Sequence, residues 1–462
     1  MVATKTTMLS SSIRIGGCIE NGKNAYYEIR KSMCRTAHAK PRGFAGTWIL
    51  LLCIMDSESA WLKCEPQGYD ITVGGADGLT VVEHEPERSV NARTVALVKI
   101  LSELGPEIPE IARRLGQFKE SVRYRYKEKI LSKGYAVQGA VDHERLGFER
   151  IMIIVDFAET YLNFAPAIIT AMSEVCYVVG FSKSLIGGEY IVNLSVPAEQ
   201  AGEVRAFFLA LEEKGMFSKL EVLDFDWYRN VPMKPEYYDF DTGRWDFQWQ
   251  NPSSQDYEGA AYVPSKKGKF DYVDLLIIKE LQMDANKSLK EMSEKLNLNY
   301  KKLAWHHTAH VCGQKLLHGY TVNWIGTRYD YTLEKVLHRK HRYFVLDLFV
   351  RNVNEYESMN LRHQMNVLPF LWSEAGGRNY HAELALPVDN VVEGLQYIGN
   401  ATGAVKDRLS IYPGDQTEAA SFTILYQLYD QAAKTWKFNK DDLLQRFDKL
   451  MVEIKSGPTR EV

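Results

Sequence analysis

Eight basic residues fall between Arg113 and Lys133 (Arg113, Arg114, Lys119, Arg123, Arg125, Lys127, Lys129 and Lys133) against two acidic ones, Glu120 and Glu128, a local net charge of +6. Cationic side chains at this density hold phosphates, and arginine also reads guanine through its paired donors. Val122, Tyr126 and Ile130 recur at i, i+4 and i+8, which predicts a helix over about 119–132 with that stripe turned inward. Lys119, Ser121, Arg123, Tyr124, Arg125, Lys127 and Lys129 then occupy its outward face and flanks, while Arg113 and Arg114 close the preceding helix. All nine are candidate DNA contacts. The competing reading is a solvated basic face without a partner, and the outward Glu120 and Glu128 argue against dense phosphate contact.

A second, weaker constellation lies downstream. Lys301 and Lys302 open a helix that also carries His306, His307 and His310, with no acid from Asn299 to Tyr320. Lys301, Lys302, His306 and His310 are therefore read as further DNA contacts. The i, i+4 spacing of His306 and His310 could suit a metal, but no glutamate of the HExxH type and no third ligand accompanies them, so neither metal nor other cofactor is expected. Leu303, His307 and Val311 share a face, placing His307 inward, and Trp305 is expected in the core. No Ser/His/Asp set, phosphate loop or acid pair is visible in the sheet-forming regions, so no catalytic residue is expected and the chain is read as a non-enzyme.

These two helices belong to a repeated pattern. Val90–Leu104, Glu110–Leu115 and the basic helix, joined by Gly116-Gln117-Phe118, precede a strand at Ala136–Val141, and the order recurs over Tyr272–Leu281, Leu289–Leu296, Tyr300–Leu317 and the strand that follows. Three helices, a tight turn before the last, then a strand is winged helix-turn-helix order. Each unit leads into a β-α-β-β-α-β pattern, over 146–231 and 338–418. The expected class is α+β: two winged helix-turn-helix domains (86–145 and 269–326), each followed by a ferredoxin-like βαββαβ domain. Residues 232–268 form an acidic aromatic linker, part of which should pack against a domain, and 419–462 a helical end.

The string Val122-x-x-Arg125-Tyr126, then Lys133-Gly134-Tyr135, Val141-Asp142 and Leu146-Gly147 resembles the recognition helix, wing and linker of the Lrp/AsnC (feast/famine) regulators of archaea and bacteria. Ile186-Gly187-Gly188-Glu189-Tyr190-Ile191-Val192-Asn193-Leu194 is similar to the glycine-led strand of that family's effector domain. The resemblance covers residues 90–230; in the second half only the element order and Tyr272–Glu280 hold. It implies a transcription regulator that binds double-stranded DNA, pairs its sheet domains, and takes a small effector such as an amino acid near Gly187, Gly188, Gly376 and Gly377. Hairpin turns are the alternative role for these glycines. Doubling implies an intramolecular pseudo-dimer, with homo-oligomers open to it. Two further readings stand: a non-catalytic interaction or nucleoid protein, and an enzyme like the haem-pathway decarboxylases that resemble the same architecture. Their histidine and arginine near the second strand have no counterpart in Glu174–Gly180.

The 462 residues carry a net charge of −3, 45% hydrophobic and 12% aromatic content, so the basic helix is a local feature of a globular protein. Nine carboxylates face three basic residues between Glu221 and Glu258. Six scattered cysteines (Cys18, Cys34, Cys53, Cys64, Cys176, Cys312) form no metal spacing and fit a reducing cytoplasm. No apolar run reaches the ~20 residues of a membrane span. Residues 1–85 are read as an N-terminal extension; within it Phe44–Met55 is apolar for about twelve residues, and Met1–Ile54 is read as a poorly structured extension, as sequence ahead of a true start at Met55, or as an amphipathic or buried segment.

Overall fold

A computed structural model of the chain describes the backbone of residues 62–64, 69–72, 80–83 and 86–90, and residues 91–249, 265–324 and 343–456, the side chain of 416 excepted. Phe44–Met55, the alternative start, much of the linker (250–264) and residues 325–342 lie outside the described residues. The chain divides into two compact units, 1–86 and 87–462. In the first, β1 (Leu62–Cys64), β2 (Tyr69–Thr72) and β3 (Thr80–Glu83) form an antiparallel meander.

The second unit is mixed α and β, and its elements repeat. Helices α1 (Pro86–Leu104), α2 (Ile108–Leu115) and α3 (Lys119–Arg125, continuing as a π turn over Tyr126–Leu131) precede β4 (Ala136–Val141). Then come β5 (Phe148–Phe157), α4 (Ala165–Ser173), β6 (Val178–Ser184), β7 (Tyr190–Pro197), α5 (Ala201–Glu213), β8 (Phe217–Phe225) and β9 (Trp227–Asn230). The second pass begins with α6 (Tyr272–Met283), α7 (Leu289–Lys295), α8 (Tyr300–Trp305, continuing as a π turn over His306–Cys312) and β10 (Leu317–Asn323). It continues through β11 (Tyr343–Val350), α9 (Glu355–Val367), β12 (Leu371–Gly376), β13 (Tyr380–Pro387), α10 (Val391–Ala401) and β14 (Leu409–Ser421), and ends with α11 (Lys440–Ser456).

Both helical units turn between their second and third helices at a residue of positive φ, Gly116 (φ 62°) and Asn297 (φ 51°). Both third helices loosen into a π turn, a feature frequent at functional sites. The first helix of the second unit is the better anchored: Asp271 and Asp274 form a reciprocal capping box at its start. Farther along it lies the fully buried Glu280. Burial alone would raise this carboxyl, but hydrogen bonds from Lys279, Lys287 and Lys295 outweigh that and hold it at about 2.

The strand after each third helix is not a free wing. β4 and β10 pair antiparallel with each other, from Ala136 opposite Asn323 to Val141 opposite Leu317, and so join the two helical units. The tie extends to side chains, because the Tyr126 hydroxyl donates to Asn286 in the α6–α7 connection. A strand whose backbone groups are already paired with its counterpart cannot lie alone along a groove.

The strands of the two β-α-β-β-α-β passes and β9 make one antiparallel sheet in the order β8-β5-β7-β6-β14-β11-β13-β12-β9. Only Asp226 separates β8 from β9, so both ends of that order belong to one run of chain and the sheet returns on itself. The two halves exchange their last strands: β14 pairs with β11 through Leu409–Pro413 and then with β6, while β8 pairs with β5 and β9 with β12. Met152, Ile154, Ile191, Leu223, Phe225 and Phe349 fill the space between the halves, and the opposite faces pack on the helices.

One repeat was not anticipated. Tyr238-Asp239 and Arg244-Trp245 pair as a small hairpin, and so do Tyr429-Asp430 and Thr435-Trp436. Each carries Tyr-Asp, then Trp six residues after the Asp and Phe two residues later (Phe247, Phe438). The expected packing of linker aromatics is thus met, with Tyr238 and Phe240 buried against Trp324. Residues 419–462 correspondingly hold a strand end and a hairpin as well as the expected helix, whose Asp442 N–H donates to Asn439.

Candidate nucleic-acid interface and a buried acid–histidine cluster

The turn at Gly116 delivers α3 with Val122, Tyr126 and Ile130 buried, as their spacing predicts. Lys119, Ser121, Arg123, Tyr124 and Lys127 are exposed, Tyr124 by 69%, and so is Phe118 in the turn before the helix. Arg125 and Lys129 are half-buried; Arg125 donates to Gln117 Oε1 at 2.8 Å and Lys129 meets Asp241 of the aromatic segment at 2.6 Å. Much of the local charge is matched within the fold. Arg113 pairs with Glu110, Arg114 with Glu103 and Glu110, and Arg123 with Glu120. Burial and the neighbouring Arg93 lower the Arg125 guanidinium, which stays charged at neutral pH. The +6 of the sequence is therefore an upper bound on what an approaching phosphate meets.

On α8, Tyr300, Lys301, Lys302 and Trp305 are exposed, Trp305 by 56%, which removes it from the core where its apolar type had placed it. His306 and His310 turn inward. His306 Nδ1 lies 2.9 Å from Asp274 Oδ1 and 3.6 Å from Asp271 Oδ1, and His310 Nδ1 lies 2.8 Å from Asp274 Oδ2. His306 is 4% exposed and Asp274 fully buried, so neither reaches a groove. Leu303 and Val311 are buried and His307 half-buried, the face their spacing predicts, and His306 is buried beside them. Burial is the largest influence on Asp274 and raises its carboxyl, against the hydrogen bonds it accepts. Trp305 flanks both imidazoles, its ring centroid 4.9 Å from His306 and 4.7 Å from His310.

Between β4 and β5, His143 Nδ1 lies 2.7 Å from Ser195 Oγ beside a cavity of about 10 Å³ lined also by Phe148 and Tyr177, room for about one water. Burial, then the neighbouring Arg150 and His318, push the His143 imidazole well below its ordinary value. The unfolded chain therefore takes up this proton first as pH falls, and stability drops from about pH 6.5 downward. His143→Gln should flatten that part of the curve. Urea midpoints measured at pH 7 and pH 5 check it, and an equal fall in both proteins would refute the assignment.

The glycines proposed for an effector do backbone work in this fold. Gly187 (φ 90°) and Gly188 (φ 82°) make the β6–β7 turn. A side chain on Gly376 would run into the Trp227 indole, and one on Gly377 would meet Asp226 Oδ2 at 2.6 Å. Within the closed sheet Asp347 Oδ1 lies 2.8 Å from His381 Nε2, and Ser182 donates to Asp347 Oδ2 at 3.2 Å. Burial raises this carboxyl. The carboxylate rather than the imidazole is the middle member, so His381 is not placed to take a proton from Ser182, and the order of a nucleophile triad is not met.

No protein-family description matches the chain, and no curated protein matches it. Among solved structures it is similar to the siroheme decarboxylase NirDL, at 11% identity over 76% of this chain and 98% of that one, with a TM-score of 0.46. The same enzyme with an iron-uroporphyrin III analogue gives 11%, 77%, 97% and 0.45. PH0061 is 21% identical over 31% of this chain and 94% of that one, with a TM-score of 0.23. Likeness at this level concerns the mixed α/β layout and carries nothing about activity or ligand. Among the described residues no helix is long and apolar enough to cross a membrane.

Proposed function

We propose that the protein is a DNA-binding regulator of the helix-turn-helix kind that reads the major groove with α3, its two helical units, tied through β4 and β10, acting as a built-in pair. The observation that carries this reading is the outward surface of α3. A three-residue turn presents Lys119, Ser121, Arg123, Tyr124 and Lys127 together on a helix whose inner stripe is fully committed to the core. A groove admits one such helix, with cations on its shoulders meeting phosphate and short polar side chains reaching base edges. Lys119 and Lys127 act on phosphate, Arg123 on phosphate or guanine once Glu120 is displaced, and Ser121 and Tyr124 on base edge or backbone. The exposed Tyr300, Lys301 and Lys302 offer a second, less charged face on α8.

The test is a titration of the full chain against a labelled duplex from upstream of its own gene and a scrambled duplex, over a series of salt concentrations. Expected is preference for the upstream duplex with a steep salt slope. The double change Lys119→Ala, Lys127→Ala should reduce the slope by roughly 2 and weaken both duplexes alike, and should cost more than Lys301→Ala, Lys302→Ala. No binding at low salt would overturn the reading, and equal binding to both duplexes would replace it with a nucleoid-type role.

A further inference from the structure

We propose that Asp271, Asp274, His306 and His310 form a binding site for one divalent transition-metal ion of the Zn²⁺ or Co²⁺ type. Among the described residues this is the one group of histidine, cysteine and acid side chains whose ligand atoms come close enough, all lying within 4.8 Å of one another. Four ligands at about 2.1 Å in a tetrahedron stand about 3.4 Å apart. The separations of 2.8, 2.9 and 3.6 Å between the imidazole nitrogens and carboxylate oxygens need only small adjustment to accept an ion between them. Two carboxylates and two neutral imidazoles also balance a 2+ charge. The mixed nitrogen and oxygen set favours a borderline ion over Mg²⁺ or Ca²⁺, which prefer oxygen alone.

The helical repeat supplies an independent argument. Aligning the buried stripes of α1 and α6 (Leu97, Val98 and Leu101 with Ile277, Ile278 and Leu281) sets Asn91 against Asp271 and Thr94 against Asp274. Aligning α3 with α8 on Val122 and Leu303, and on Ile130 and Val311, sets Arg125 against His306 and Lys129 against His310. The first unit thus builds the same helices with no carboxylate or imidazole at any of the four places. The cluster is not a requirement of the fold. Half of it is reachable from outside: the Asp271 side chain is 44% exposed and that of His310 24%, while Asp274 and His306 form the floor. An ion there would cross-link the start of α6 to the π turn of α8 directly under Trp305. The site stands whether or not the outer face of α8 meets DNA.

The full chain, stripped with chelator and dialysed, is titrated with Co²⁺ and then with Zn²⁺. Expected is one Co²⁺ per chain with visible d–d bands, displaced by Zn²⁺, and a melting temperature that rises with added Zn²⁺. Asp271→Asn preserves the helix cap, since asparagine caps as well as aspartate, and His310→Gln keeps a polar side chain at a half-exposed place. The double variant should fold, as circular dichroism of the metal-free protein reports, and bind at least roughly 10–100-fold more weakly without the bands. His307→Gln, which alters the neighbouring histidine beside Cys312, should bind as the parent does. Absence of binding by the parent, unchanged binding by the double variant, or loss confined to His307→Gln would each overturn the proposal.

Discussion

Glu374→Ala should destabilise the protein by about 3 kcal/mol, the loss that breaking a buried ion pair brings. Glu374 is fully buried on β12, where Arg229 of β9 reaches it through Nε at 2.9 Å and Nη2 at 2.6 Å. Tyr380 OH donates to it at 2.6 Å and Asn366 Nδ2 at 3.1 Å. Truncation removes the acid shared by the Arg229 guanidinium, the Asn366 amide and the Tyr380 phenol where β9 of the first half pairs with β12 of the second, leaving Asn366 its bonds to Arg229 Nη2 and the Arg362 carbonyl. Breaking a buried pair in this way costs about 3–5 kcal/mol; the Arg229 side chain is 29% exposed and recovers some water, which favours the lower figure. Glu374→Gln keeps the shape and part of the hydrogen bonding and should lose less. Urea midpoints at constant slope measure both. A loss below about 1 kcal/mol would reduce this contact to the standing of a surface ion pair.

The junction around Glu374 shows which features of the fold can be read from sequence. Periodicity located the third helices and their inner faces, since Val122, Tyr126 and Ile130 repeat at spacings set by the helix itself. Gly134 at φ 68° and the residues around the tight turns follow local backbone rules in the same way. What the halves do to one another has no local signal. Nothing in Ala136–Val141 distinguishes a free wing from a strand paired with Leu317–Asn323. Nothing in Trp227–Asn230 announces that it leaves its own half to pair with β12, and four residues so close to the end of β8 read as its tail.

The acid–histidine cluster was half visible for the same reason. His306 and His310 were legible as a pair because a helix sets their separation, whereas Asp271 and Asp274 read as the start of another helix more than thirty residues earlier. Only packing brings the elements together. The signal that does reach across elements lies in the repeat. Comparing the two repeats place by place would have shown acids where the first has Asn91 and Thr94, and imidazoles where it has Arg125 and Lys129. The same comparison exposes the doubled hairpin, since Tyr238-Asp239 with Trp245 and Phe247 recurs as Tyr429-Asp430 with Trp436 and Phe438 at identical spacing.

Gly376→Ala should cost about 1–3 kcal/mol, the usual range for forcing extra volume into a packed site. Gly376 faces Trp227 across the β9–β12 ladder, and the new methyl group would fall within the indole, a rigid ring with Arg362 stacked at 5.0 Å on it. The ring cannot step aside cheaply, because the Asp226 N–H donates to the Gly376 carbonyl at 2.8 Å immediately beside it and fixes the backbones. Gly377→Ala meets a different obstacle: φ is 142°, a region L-residues seldom adopt, and Asp226 stands in the way of a side chain. Both changes should lower the urea midpoint and speed hydrogen exchange in Trp227–Asn230 before the rest of the sheet. Gly188→Ala provides the contrast, with open space around its missing side chain and only the φ of 82° to resist it, so its loss should be smaller. If Gly376→Ala instead left stability and exchange unchanged, packing would not account for this glycine, and the effector role implied by the family resemblance would become the reading to pursue. A lowered midpoint with early exchange at β9 assigns Gly376 to closing the sheet, the same task Glu374 performs from the adjoining residues of β12.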